Sequence, residues 1–217
     1  MERSTVYQQH LDALIAFASG EQFQQELLQA KTEYFAGTGE LFEDDKSFEL
    51  RMASFLDFFV FDWKLAGSGK TPSELFFEQS TGLSEEEQQG LRGLTETRHS
   101  LWEVRKLAKA NVRLRDLFTG KDIDVFERRQ PAGLKRGDII EARLVPYDGR
   151  LLFSSAFCFH PEEVRKVILK EVKRLKKHEP DFDRRGFIWS LSKMRLKLER
   201  YRNIAPEQIY SFAEKTI

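Results

Sequence analysis

The chain has 217 residues, 41% of them hydrophobic and 32% charged, with a formal net charge of zero. It can bury a real core, as one large domain or two small ones, and its apolar periodicity excludes a disordered chain. The single cysteine, Cys158, excludes an internal disulfide and any multi-cysteine zinc site.

Residues 5–18 set Val6, Leu11, Leu14, Ile15 and Phe17 on one helical face, closed by Ser19 and Gly20. A second helix is expected from Glu21 to about Phe35, with Phe23, Leu27, Leu28 and Tyr34 as its stripe, and Gly37 and Gly39 break it. Glu43, Asp44 and Asp45 then supply negative charge at the start of a third helix. That helix, Phe48 to Trp63, is apolar on nearly every side in its second half and must be covered by other elements. It is too short and too interrupted by Arg51, Asp57 and Asp62 to span a bilayer. Asp57 and Asp62 are expected to pair with Arg51 or Lys64. Two more helices follow, each opened by a capping signature: Thr71-Pro72-Ser73-Glu74 and Ser84-Glu85-Glu86-Glu87.

Near His99 the apolar period changes from helical to two. Ser100–Leu107, Val112–Leu117, Lys121–Arg128, Asp138–Val145 and Arg150–Phe159 read as strands. Val112 and Leu114 alternate with Arg113 and Arg115, and Ile123 and Val125 with Asp122 and Asp124. Turns fall at Thr119-Gly120, Lys135 to Asp138 and Asp148-Gly149, the last a strong hairpin signal. Five short antiparallel strands suggest a small barrel or strongly curled sheet. The gap from Arg129 to Gly137 carries no helical pattern, which favours an SH3-like barrel over an oligonucleotide-binding fold.

After Pro161 a helix turns Val164, Val167, Ile168, Val172 and Leu175 inward and ends before Pro180. Another spans about Asp183 to Arg202 on Phe187, Ile188, Leu191, Met194, Leu198 and Tyr201, and a short one starts at Pro206. The expected architecture is therefore α+β: a helical layer (1–97), a barrel-like sheet (98–160) and a basic helical tail packed on both (161–217).

The segments Glu33-Tyr-Phe35, Phe48-Glu-x-Arg-Met52, Phe55-Leu-Asp-Phe-Phe-Val-Phe-Asp62, His99-Ser-Leu-Trp-Glu-Val104, Leu114-Arg-Asp-Leu-Phe-Thr-Gly120 and Gly137 to Val145 resemble a family of bacterial proteins of unknown function. In some relatives the similar part precedes a SEC-C zinc-binding tail. Here no Cys-x-Cys motif exists and basic helices take the tail's place. The resemblance supports the segmentation and transfers no catalytic residue.

Three motifs invite chemistry and fail. Gly67-Ser-Gly-Lys-Thr71 lacks the earlier glycine of a phosphate loop, because Lys64 stands there, and Pro72 removes an amide donor. Cys158 and His160 offer only two of the three or four ligands that zinc needs, the nearest carboxylates being Glu162 and Glu163 on the next helix. Asp44, Asp45, Asp57 and Asp62 read as helix-start and structural carboxylates.

Charge is unevenly spread: −10 over residues 1–100, +4 over 101–150 and +6 over 151–217. The basic end is the strongest functional hint. Lys173, Lys177, Arg184, Arg185, Lys193, Arg195, Lys197 and Arg200, extended by Arg113 and Arg115 of the sheet, are the candidate contacts for an RNA or DNA backbone. Trp189, Tyr201 and Tyr210 are candidate base-stacking groups, and Arg128, Arg129, Lys135, Arg136 and Arg143 would widen the surface. The expected function is non-catalytic nucleic-acid binding. A protein adaptor or self-associating scaffold is the alternative, and an enzyme comes third. No catalytic residue, metal ligand or cofactor is expected, and no membrane span. Met1 to Ser4 shows no apolar signal region, so a cytoplasmic setting is expected. The sequence leaves the oligomeric state open.

Overall fold

The computed structural model describes residues 3–127 and 133–212. Its helical layer comprises α1 (Arg3–Ala18), a 3₁₀ turn (Glu21–Phe23), α2 (Gln24–Thr38), α3 (Phe48–Phe61), α4 (Pro72–Gln79) and α5 (Glu85–Thr95). Both capping signatures close as boxes: Thr71 with Glu74 starts α4, and Ser84 with Glu87 starts α5. α3 buries Phe55, Phe58, Phe59 and Val60 among Leu14, Phe23, Tyr34, Leu91 and Leu94, as its all-round apolar half requires.

Strands β1 (Arg98–Leu107), β2 (Asn111–Asp116), β3 (Asp122–Phe126), β4 (Ile139–Tyr147) and β5 (Arg150–His160) form one antiparallel sheet in the order β3-β2-β1-β4-β5. The hairpin signal at Asp148-Gly149 joins β4 to β5, both residues at positive φ. The expected SH3-like barrel is not formed. The sheet curls tightly enough to bury Trp102, Val112, Leu114, Val125, Ile140 and Leu144 against one another. Its edges, however, meet through side chains such as Arg150 over the Phe126 ring, 4.3 Å away, and among the described residues no β3–β5 ladder closes it. The convex face, which a small barrel turns to water, is instead roofed by helices.

That roof explains the burial of β4 on both faces. Ile140, Ala142 and Leu144 enter the sheet's own core, whereas Val145 enters the helical layer's core and Ile139 that of the C-terminal helices. The C-terminal part consists of a 3₁₀ turn (Glu162–Val164), α6 (Arg165–His178), α7 (Arg184–Arg200) and α8 (Pro206–Ile209). Ile168, Val172, Ile188, Leu191 and Tyr210 pack on Leu101 and Ile139. Gly37 lets Trp189 of α7 lie on α2: a Cβ there would stand 2.2 Å from the indole. The three stretches 1–97, 98–160 and 161–217 thus share their cores. Among the described residues no helix is long and apolar enough to cross a membrane.

Candidate functional site

Where α3 and α7 meet the convex face of β1 and β4, the packing leaves a cleft of about 440 Å³. Alternation along β4 sends Glu141 and Arg143 toward it, between Ile139 and Val145, and β1 contributes His99 opposite Arg143. Arg143 is 3% exposed. Its guanidinium donates to Asp62 and, at 2.8 Å, to Thr97 Oγ1, and its Nε stands 3.7 Å from Asp57 Oδ2. That last distance is too long for a hydrogen bond, so Asp57 Oδ2 and Arg143 Nε stay buried without partners among the described residues. Burial raises the Asp57 carboxyl above its ordinary range despite the pull of Arg143.

The pairing expected from sequence is therefore corrected. Asp57 and Asp62 face Arg143, not Arg51 or Lys64. Arg51 donates to the carbonyls of Thr38, Gly39 and Ser192, and Lys64 bonds Glu74. These carbonyls end α2 or lie along α7, so a long guanidinium on α3 ties three helices together.

Glu141 is 5% exposed. It receives His99 Nε2 at 3.1 Å on one oxygen and the Ser192 hydroxyl on the other. Burial acts to raise its carboxyl, but these partners win and hold it below the ordinary value. Directly across the ladder from Glu141 stands Cys158, whose thiol burial pushes up to about 12. His160, buried beside Tyr210, is pushed down to about 4. Tyr34, Phe58, Phe118 and Trp189 supply aromatic wall to the cleft, and Arg184 and Arg185 stand exposed at the start of α7. Their guanidinium carbons lie 5.8 Å from the ring centroids of Phe118 and Phe58, respectively. Among the described residues neither has a carboxylate partner.

The other candidate contacts are dispersed. Arg113 and Arg115 are bound bidentately by Asp124 and Asp122 across the β2–β3 hairpin. Arg200 is bound by Asp45 and the Glu40 carbonyl. Arg195 donates to the Phe159 carbonyl. Lys173 and Lys177 lie on α6 beside Leu117, whereas Lys193 packs near Gly39 and, with Lys197, lies exposed on α7. Of the stacking candidates, Tyr210 is 1% exposed and Trp189 packs edge-on against Tyr34 and Phe58; Tyr201 is exposed. Arg128 and Arg129 lie outside the described residues. Sequence reasoning thus singled out Arg184, Arg185, Arg143, Asp57 and Asp62, all of which line the cleft, but not Glu141 and His99. The available signal was the strand alternation that puts Glu141 and Arg143 on one face.

Fold and cleft together define an α+β protein with a ligand-sized polar recess between a helical layer and an open antiparallel sheet. The chain belongs to a family of unknown function, DUF7986, whose model matches residues 19–193. No curated protein and no solved structure matches it.

Proposed function

We propose that this protein binds a small anionic molecule, one carrying phosphate or carboxylate groups, in the cleft between α3, α7 and the sheet. The observation that carries the reading is the pair Arg184 and Arg185: both stand at the cleft without a carboxylate partner among the described residues, while Arg113, Arg115, Arg143 and Arg200 are each neutralised internally. Guanidinium groups are the donors of choice for such anions. The recess has the size of small-molecule sites, and its aromatic wall suits a planar group attached to the anion. A nucleic-acid backbone, the ligand expected from the basic tail, requires a continuous cationic track. Internal ion pairs take Arg113, Arg115 and Arg200 out of that track.

Calorimetric titration with pyrophosphate, citrate and adenosine monophosphate tests the reading and separates phosphate from carboxylate ligands. One of them should bind with one-to-one stoichiometry. Arg184→Ala/Arg185→Ala should weaken it tenfold or more, since a hydrogen bond to a charged group contributes about 1.5–3 kcal/mol. Absence of binding by all three, or equal binding by the double variant, overturns the cleft. Salt-sensitive retention of single-stranded RNA that the double variant leaves unchanged also overturns it, in favour of the tail.

A further inference from the structure

We propose that Glu141, Cys158 and His160 form a binding site for Zn²⁺ beneath α7 and α8. The β4–β5 ladder sets Glu141 directly opposite Cys158, and Ile139 opposite His160. Cys158 and His160 are two residues apart on one strand, so all three side chains leave the sheet on the same side. Their ligand atoms lie within 4.8 Å of one another. A tetrahedral zinc bound by thiolate at about 2.3 Å and imidazole at about 2.0 Å holds those two atoms roughly 3.5 Å apart.

A second observation is independent of the cysteine. His160 is 5% exposed, yet among the described residues its Nε2 has no hydrogen-bond partner. Its Nδ1 lies 3.0 Å from the Tyr210 hydroxyl, and Tyr210 is itself 1% exposed. An orphaned ring nitrogen at that depth is costly, and buried polar groups are nearly always satisfied by something. With Nδ1–H donating to Tyr210, Nε2 carries a free lone pair, the state in which histidine ligates metals.

The outer contacts are those that orient metal ligands. Tyr210 fixes the His160 ring, while His99 and Ser192 hold the two oxygens of Glu141. Thiolate, imidazole and carboxylate together favour zinc over magnesium or calcium, which take oxygen ligands. Three protein ligands leave a fourth position for water, and binding transfers the Cys158 thiol proton to solvent. Sequence alone offered Glu162 and Glu163 as carboxylates; the third ligand comes instead from β4, 17 residues upstream of Cys158. The site stands on these contacts and does not require the anion reading of the cleft.

Titration of the 217-residue chain with Co²⁺, and then with Zn²⁺ as competitor, tests the site. Cys158 is the chain's one cysteine, so a sulfur-to-cobalt charge-transfer band can arise from no other residue. The band should saturate at one cobalt per chain, disappear on addition of one equivalent of Zn²⁺, and be absent from Cys158→Ser. Tyr210→Phe keeps the ring but loses the hydroxyl; it should weaken Zn²⁺ binding tenfold or more with an unchanged circular dichroism spectrum. A wild-type protein without the thiolate band overturns the site. So does a folded Tyr210→Phe protein that binds Zn²⁺ as tightly as wild type.

Discussion

Arg200 shows how a residue's charge can be used up before any ligand arrives. Its guanidinium is gripped by both oxygens of Asp45, 155 residues away, and lies 4.8 Å from the Phe42 ring centroid. The Arg200 hydrogen bond holds the Asp45 carboxyl below its ordinary value. A depressed folded-state carboxyl contributes stability that is present above its unfolded value, near pH 4, and lost as pH falls through the lower folded value. Urea midpoints of wild type and Asp45→Asn should therefore differ above pH 4, with wild type the more stable. The two should converge as pH falls below that. A difference that stays constant down to pH 2 would show that Asp45 acts by shape alone. The same lesson applies to Arg113 and Arg115, whose alternation with valine and leucine is plain in the sequence. A hairpin turning at Thr119-Gly120 pairs them with Asp124 and Asp122, so these exposed pairs neutralise charge and add little stability.

Elements meet here at unusually close range where glycine permits it. A Cβ on Gly93 of α5 would stand 1.8 Å from the Pro146 carbonyl oxygen of β4, and because that oxygen is backbone it cannot swing away. Gly93→Ala should lower stability by about 1–3 kcal/mol or more through forced separation of α5 from the sheet. Gly67→Ala, with nothing within 4 Å of the new carbon, should leave the urea midpoint nearly unmoved. Equal effects at the two positions would contradict the close-approach account. At this scale much was legible: both capping boxes and the Asp148-Gly149 hairpin depend on residues within a few positions of one another, whereas Leu28 and Tyr201, expected on apolar stripes, are 65% and 57% exposed.

For the whole molecule, the decisive feature is a sheet that supports cores on both faces. Leu101, Leu117, Phe118 and Ile139 are covered by residues of α6, α7 and α8. Uncovering four such side chains costs about 1.5–3 kcal/mol each, which together rivals the stability of an ordinary domain. A fragment ending at His160 should consequently lose its cooperative thermal transition and bind a hydrophobic dye. A fragment melting sharply within a few degrees of the full chain would show that the sheet and helical layer stand alone.

By itself the sequence determined the run of elements, the α+β class and the burial of α3, because helical and strand periods are local properties of the chain. Only tertiary structure decided that the sheet stays open. Its convex face is claimed by helices from both ends of the chain, and among the described residues its edges make no ladder. Tertiary structure likewise brought Arg143 to Asp57 and Asp62, and Glu141 to Cys158 and His160. Those encounters depend on strand register and on helices docking from far along the chain. Which distant charge meets which is decided by packing, since one-dimensional spacing carries no record of it.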